Sequence, residues 1–326
     1  MGVALKLIYN VALLFIMMVP GVLMKKCRLC GEGFGKGISN LVLYIAQPAL
    51  TFVAYLRPYD EKILINSLYV FLFSVSLHAI FAIVAMLFFK KAEDSMRRML
   101  RFATVFSNVA FMGIPLIAAV LEPEYPGSTV YALIYSITFN VFLWSLGVKI
   151  CTEGRDENEN GVDDFNDAKE KISPWKALTH PTTIASAIGL IFFILPIEGY
   201  VPALAEEAFN MLKGLVAPLS MLVIGLRLAD MSFKGMLRDV DMYIFLGLRH
   251  IALPLVALGL VKLVDLILPL DPAVQMVIVI LAAAPAATSA TMFAEKYDCD
   301  SVYVSRLVTV STIISIITIP LILLLV

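Results

Sequence analysis

The sequence predicts an all-α polytopic membrane protein of ten transmembrane helices, arranged as a 5+5 inverted repeat with two broken crossover helices. Three observations predict this. Apolar runs of bilayer length recur from end to end, the basic residues collect on alternate loops, and the second half of the chain echoes the first.

Of 326 residues, 60% are hydrophobic and 16% charged, and mean hydropathy is +0.89. A soluble domain of this size cannot bury that much apolar surface, whereas a bilayer accommodates it. A span needs about 20 apolar residues, and ten segments qualify: 5–24, 38–56, 64–89, 101–121, 129–151, 182–196, 207–228, 241–268, 273–296 and 302–326. The sixth is short for a full crossing. Lipid offers no partner to a backbone amide, so each run is expected to be helical. Turn sequences separate them, as in Arg57-Pro58-Tyr59-Asp60, Glu122-Pro123-Glu124-Tyr125-Pro126-Gly127 and Leu268-Pro269-Leu270-Asp271-Pro272. The first run is stopped by Lys25-Lys26 and lacks a small-residue cleavage pattern, so it reads as a span and not as a signal peptide.

Basic residues orient the spans. Loops after the odd-numbered spans carry 19 Lys and Arg, the opposite side carries 5, and Arg249 lies within a span. The expected topology is a multi-pass protein of the plasma membrane with both termini extracellular. The central loop, 152–181, is then cytoplasmic. Glu153, Asp156, Glu157, Glu159, Asp163, Asp164, Asp167 and Glu170 make it a solvated linker between a first repeat at 1–151 and a second at 182–326.

The halves share an order of landmarks. Pro48 to His78 is 30 residues and Pro218 to His250 is 32; His78 to Pro115 is 37 and His250 to Pro285 is 35. Five spans per half make the second copy enter from the opposite side, an arrangement common among secondary transporters.

Spans four and nine are the ones expected to break. Span four reads Ser107-Asn108-Val109-Ala110-Phe111-Met112-Gly113-Ile114-Pro115, and Gly113 with Pro115 weakens the helix. Span nine reads Ala284-Pro285-Ala286-Ala287-Thr288-Ser289, whose small side chains admit a close backbone. Two helices restarting at mid-membrane would aim positive dipole ends and amide groups at one point, where an anion is held without a buried lysine. Asn108, Gly113, Pro115, Pro285, Ala286, Thr288, Ser289 and Gln47 are the expected substrate-binding residues. The competing reading is two ordinary proline kinks, with Gln47 bonded to backbone. Among intramembrane ionisable groups, His78 is a candidate for a coupling proton and Arg249 for a charge partner of the anion, or for a carbonyl partner.

Other chemistries lack their residues. A net charge of −1 gives no nucleic-acid footprint. No Asp or Glu lies mid-span, as sodium/proton exchange would need, and there is no GxxxxGK[ST] loop. Three His in separate segments do not make an enzyme centre. Cys27 and Cys30 have zinc-ligand spacing without a second pair, so free thiols are expected and no cofactor or metal, with proton or sodium as candidate coupling ions.

With these motifs in hand, the chain resembles the auxin efflux carrier family, which includes plant PIN-type carriers and prokaryotic malate/malonate permease-like members. The resemblance covers nearly the whole chain. It rests on Asn108-Val109-Ala110-Phe111-Met112-Gly113-Ile114-Pro115-Leu116, then on Leu43-Tyr44-Ile45-Ala46-Gln47-Pro48-Ala49-Leu50, Ala217-Pro218-Leu219-Ser220 through Gly225, Ala284-Pro285-Ala286-Ala287-Thr288 and Ala294-Glu295-Lys296-Tyr297. It implies a fold like that of sodium/proton antiporters and bile-acid symporters. Spans 1, 2, 6 and 7 would form a dimerising scaffold, and spans 3–5 and 8–10 a moving transport domain. It also implies a carboxylate, dicarboxylate or auxin-like acid bound at the crossovers, with no catalysis. The central loop is far shorter than in plant carriers. Two other functions remain open at this point: a sodium-coupled organic-anion symporter of the bile-acid type, and a membrane ligand sensor.

Overall fold

A computed structural model describes residues 3–31, 33–153, 179–195, 200–229 and 239–326. Most of the acidic linker, the loop at 230–238 and the end of the sixth run therefore lie outside the described residues.

The extended regular elements among the described residues are all helices. In chain order they form α1 (Val3–Ile16), α2 (Val19–Lys26), α3 (Phe34–Tyr55), α4 (Glu61–Leu87), α5 (Asp94–Val105), α6 (Val109–Leu121) and α7 (Ser128–Thr152). After the linker come α8 (Pro181–Ile194), α9 (Ala203–Ala229), α10 (Val240–Asp265), α11 (Pro272–Ala283), α12 (Ser289–Lys296) and α13 (Ser301–Leu323). Among the described residues, seven helical segments are long and apolar enough to cross a membrane: Ile8–Lys26, α3, α4, α7, α9, α10 and α13. α6, α8 and α11 are apolar but shorter. Large apolar side chains such as Leu68, Ile83, Ile267 and Ile317 point outward, as lipid-facing residues do.

Local chemistry sets the helix ends. Asp60, Asp239, Asp271 and Asp300 accept backbone amides at the starts of α4, α10, α11 and α13. Pro181 and Pro272 occupy first-turn positions, where a missing N–H costs nothing. Gly127, at φ 100°, turns the chain into α7. At that turn Glu122 accepts the amides of Gly127 (3.0 Å) and Thr129 (2.7 Å) and pairs with Arg57 at 2.6 Å. Burial alone would raise the Glu122 carboxyl, but Arg57 and the two amides outweigh it and hold it below its ordinary value.

Helix packing falls into two groups. α2, α3, α8 and α9 lie against one another, while α4 packs on α7, α10 on α11, α12 on α13, and α11 also on α4, α7 and α13. The tightest approach is between α2 and α9. A Cβ on Gly225 would lie 2.0 Å from the Met18 carbonyl oxygen, and one on Gly21 would lie 2.3 Å from that of Leu222. Both positions hold glycine because backbone meets backbone there.

One break falls where the sequence places it and the other does not. α11 ends at Ala283, and Ala284 is extended (ψ 146°), the conformation that a following proline favours. The corresponding gap in the first half is at Phe106-Ser107-Asn108, between α5 and α6, and not at Gly113-Pro115. Pro115 lies inside α6, whose first turns are wound wide: the Gly113 amide reaches back five residues to Asn108 O at 2.9 Å. In that register the amide that Pro115 lacks would have met the Ala110 carbonyl. Gln47 of α3 donates its side-chain amide to that carbonyl instead. The proline is accommodated by a partner from another helix, so the chain does not break there.

Candidate functional site

The two gaps meet. Asn108 N–H donates to Pro285 O (2.7 Å) and Ala287 N–H donates to Phe106 O (2.8 Å), forming an isolated antiparallel bridge between Ser107 and Ala286. Four helix ends converge on this crossing: the C-termini of α5 and α11 and the N-termini of α6 and α12. Non-helical backbone at this depth survives only if its polar groups are paired within the protein.

Arg249 supplies that pairing for the C-terminal ends. Its guanidinium is fully buried and donates to Thr104 O (3.1 Å), Ala282 O (3.1 Å) and Ala284 O (2.6 and 3.0 Å). One cation thus holds the negative ends of both α5 and α11. Ser311 of α13 accepts the Ala286 amide at 2.9 Å, and its hydroxyl lies 2.8 Å from His250 Nε2, whose Nδ1 is 3.2 Å from Thr318 Oγ1. His78 donates from Nδ1 to Ser74 O at 2.7 Å and stacks on Phe142, with Tyr135, Phe139 and Phe106 around it.

On the other face of the crossing lies a cavity of about 690 Å³, with Asn108, Ala287, Thr288 and Ser289 on its wall. Asn108 is 2% exposed, its carbonyl oxygen accepts the Phe111 amide at 3.3 Å, and its Nδ2 has no hydrogen-bond partner. A buried amide donor left open at a cavity wall costs free energy that a ligand can recover. Gln47, Asn140, Trp144 and Arg227 extend the wall, and Lys25, Lys36 and His180 also line the cavity. Burial lowers the His180 pKa, which keeps its ring neutral, and Nδ1 accepts the Thr182 amide at 3.4 Å.

The structure therefore brings together Asn108, Thr288, Ser289 and Gln47 around one cavity. Pro285 and Ala286 lie in the crossing itself and bond to the opposite strand or to Ser311, behind the wall. Gly113 and Pro115 are buried in α6, where a Cβ on Gly113 would stand 2.5 Å from Leu281 Cδ2; their role is close packing. His78 and Arg249 do not reach the cavity wall. Arg249 is spent on carbonyls and is neither a counter-ion to a ligand in the cavity nor a side chain reaching for the membrane surface. Sequence reasoning missed Arg227, which reads as a basic flank at the end of a span. Its one signal was its place two residues beyond Gly225 in the Ala217–Gly225 motif. Among the described residues no group of three or more His, Cys, Asp or Glu is placed to hold a metal. The cysteines are free thiols.

Comparison with known proteins agrees with this architecture. A family model described as "Membrane transport protein" matches residues 6–323. A curated relative, an uncharacterized transporter of Methanothermobacter thermautotrophicus (strain Delta H), is 24% identical over 309 residues, covering 94% of each chain. A match over nearly the whole length, with crossover motifs that cross in space, means that this chain belongs to the membrane transport protein family, the family of the auxin efflux carriers.

Proposed function

We propose that the protein is a secondary transporter of a small organic anion, a carboxylate or dicarboxylate, which binds where the two broken helices cross. One observation carries this reading: the Asn108 side-chain amide, buried and unpartnered, at the wall of a cavity that also exposes the first turn of α12. An oxyanion placed there would accept from Asn108 Nδ2 and from the Thr288 hydroxyl, and it would face the N-terminal ends of α6 and α12.

Ten apolar helices, paired as 5+5 inverted repeats, are the arrangement we propose for the membrane. α2, α3, α8 and α9 would serve as scaffold and the crossover bundle as the moving part of an elevator. The packing of α2 on α9 and of α3 on α8 and α9 supports this division, with α9 against α6 and α3 against α7 as the contacts between the two groups. Lys25 and Lys36, which line the cavity, would then lie toward the cytoplasm, the side that the basic residues favour. A homodimer through the scaffold belongs to the same proposal, motivated by an exposed apolar groove between α3, α8 and α9 that Tyr44, Phe52, Ile188, Phe192 and Phe209 line.

The test is ligand-induced thermal stabilisation of purified protein by a panel of mono- and dicarboxylates, repeated with Asn108→Ala. A carboxylate that raises Tm for the parent and fails with the variant supports the assignment. Equal stabilisation of both removes Asn108 from the site.

A further inference from the structure

Cations of the described cavity wall are Lys25, Lys36 and Arg227; Glu295 is the acid among them. Arg227 is the one that touches the crossing, donating from Nη1 to Thr288 O at 3.3 Å. It comes from α9, whereas Thr288 belongs to the crossing, so the contact joins the two helix groups across the cavity. The side chain lines the cavity and is exposed, with Glu295 of the same wall as its electrostatic neighbour; the one hydrogen bond to Thr288 uses one of its five donors. Arg249 has nothing comparable to offer, since four bonds hold its guanidinium behind the crossing.

We propose that Arg227 is the anion-selecting residue of this cavity, the fixed positive charge that draws an oxyanion to the crossing and excludes cations. The inference rests on the reading of the cavity as an anion site, and it assigns the selectivity to a helix outside the crossover bundle. A guanidinium in a partly enclosed, water-filled cleft acts on any charged solute that enters, because low-dielectric walls focus its field. Its planar fork also suits a carboxylate better than an ammonium group does.

A substrate-free test uses Thr291 as the reporter. Its hydroxyl donates to the same Thr288 oxygen at 2.9 Å, so Thr291 Oγ1 and Arg227 Nη1 lie at most 6.2 Å apart. In a background with the four native cysteines replaced by alanine, Thr291→Cys is reacted with two thiol reagents of equal size. One is the anionic ethylsulfonate methanethiosulfonate, the other its cationic trimethylammonium counterpart. Arg227→Gln should lower the anion-to-cation rate ratio about fivefold at low salt, the scale that one charge at about 6 Å gives in a hydrated cleft. Arg227→Lys should keep the ratio within about twofold, which separates loss of charge from loss of fold. A ratio that Arg227→Gln leaves unchanged overturns the proposal. The two readings fail separately. An unchanged ratio with Asn108-dependent carboxylate binding removes Arg227 alone, and a fallen ratio with Asn108-independent binding removes the crossover site alone.

Discussion

Replacing Arg249 with leucine takes one cation away from three carbonyls. Thr104 O, Ala282 O and Ala284 O lose their donor at the ends of α5 and α11, in a region closed to water. Each unpaired acceptor costs about 1–3 kcal/mol. Relief of the guanidinium's own desolvation offsets part of the cost of the three acceptors, which leaves a net loss of about 3–5 kcal/mol. At about 2 °C per kcal/mol for a chain of this size, the variant should melt about 6–10 °C below the parent in detergent. Lysine should recover little, because a single ammonium cannot span acceptors on two helices. Size-exclusion profiles after graded heating give the comparison. A Tm within about 2 °C of the parent would refute the view that Arg249 braces the crossing.

Three further outcomes follow from the packing. Gly225→Val places carbon against the Met18 carbonyl, where only backbone could give way, and should cost about 1–3 kcal/mol or more of thermal stability. Gln47→Leu strips the Ala110 carbonyl of its donor and should cost about 1–3 kcal/mol by the same assay. Glu122→Gln removes the charge that Arg57 and two amides hold. The Glu122 carboxyl lies below its ordinary 4.5 when folded, so between the two values the unfolded chain binds more protons and stability rises with pH. The Tm gap between parent and Glu122→Gln should be constant above about pH 5 and close as the pH falls below 4.5 through the lowered folded value. A gap that persists at the lowest pH denies the charge its role.

Much of this was legible in the sequence because lipid simplifies the reading. Apolar runs had to be helices, and Asp271-Pro272, Asp60-Glu61 and His180-Pro181 mark their starts through chemistry local to a few residues. The break at Pro285 was legible for the same reason, since proline constrains the residue before it. The break at Phe106-Ser107-Asn108 was not, because none of those residues is a helix breaker. What opens the chain there is the pairing with Pro285 and Ala287, some 180 residues away. Pro115 misled because its cost is met by Gln47, which donates to the Ala110 carbonyl from 63 residues earlier in the chain. Arg249 was visible as a charge in a span, but its purpose depends on Thr104, 145 residues distant. Arg227 went unnoticed because a basic residue at the end of a span has an ordinary explanation at the membrane surface.

Flux tests the central claim most directly. Proteoliposomes holding the purified protein should take up a radiolabelled carboxylate identified by thermal shift, with saturation, and Asn108→Ala should reduce that uptake at least about tenfold at subsaturating substrate, the loss of one charge-assisted hydrogen bond. Uptake that saturates identically in parent and variant would mean that the anion does not travel on the crossing of α5–α6 with α11–α12.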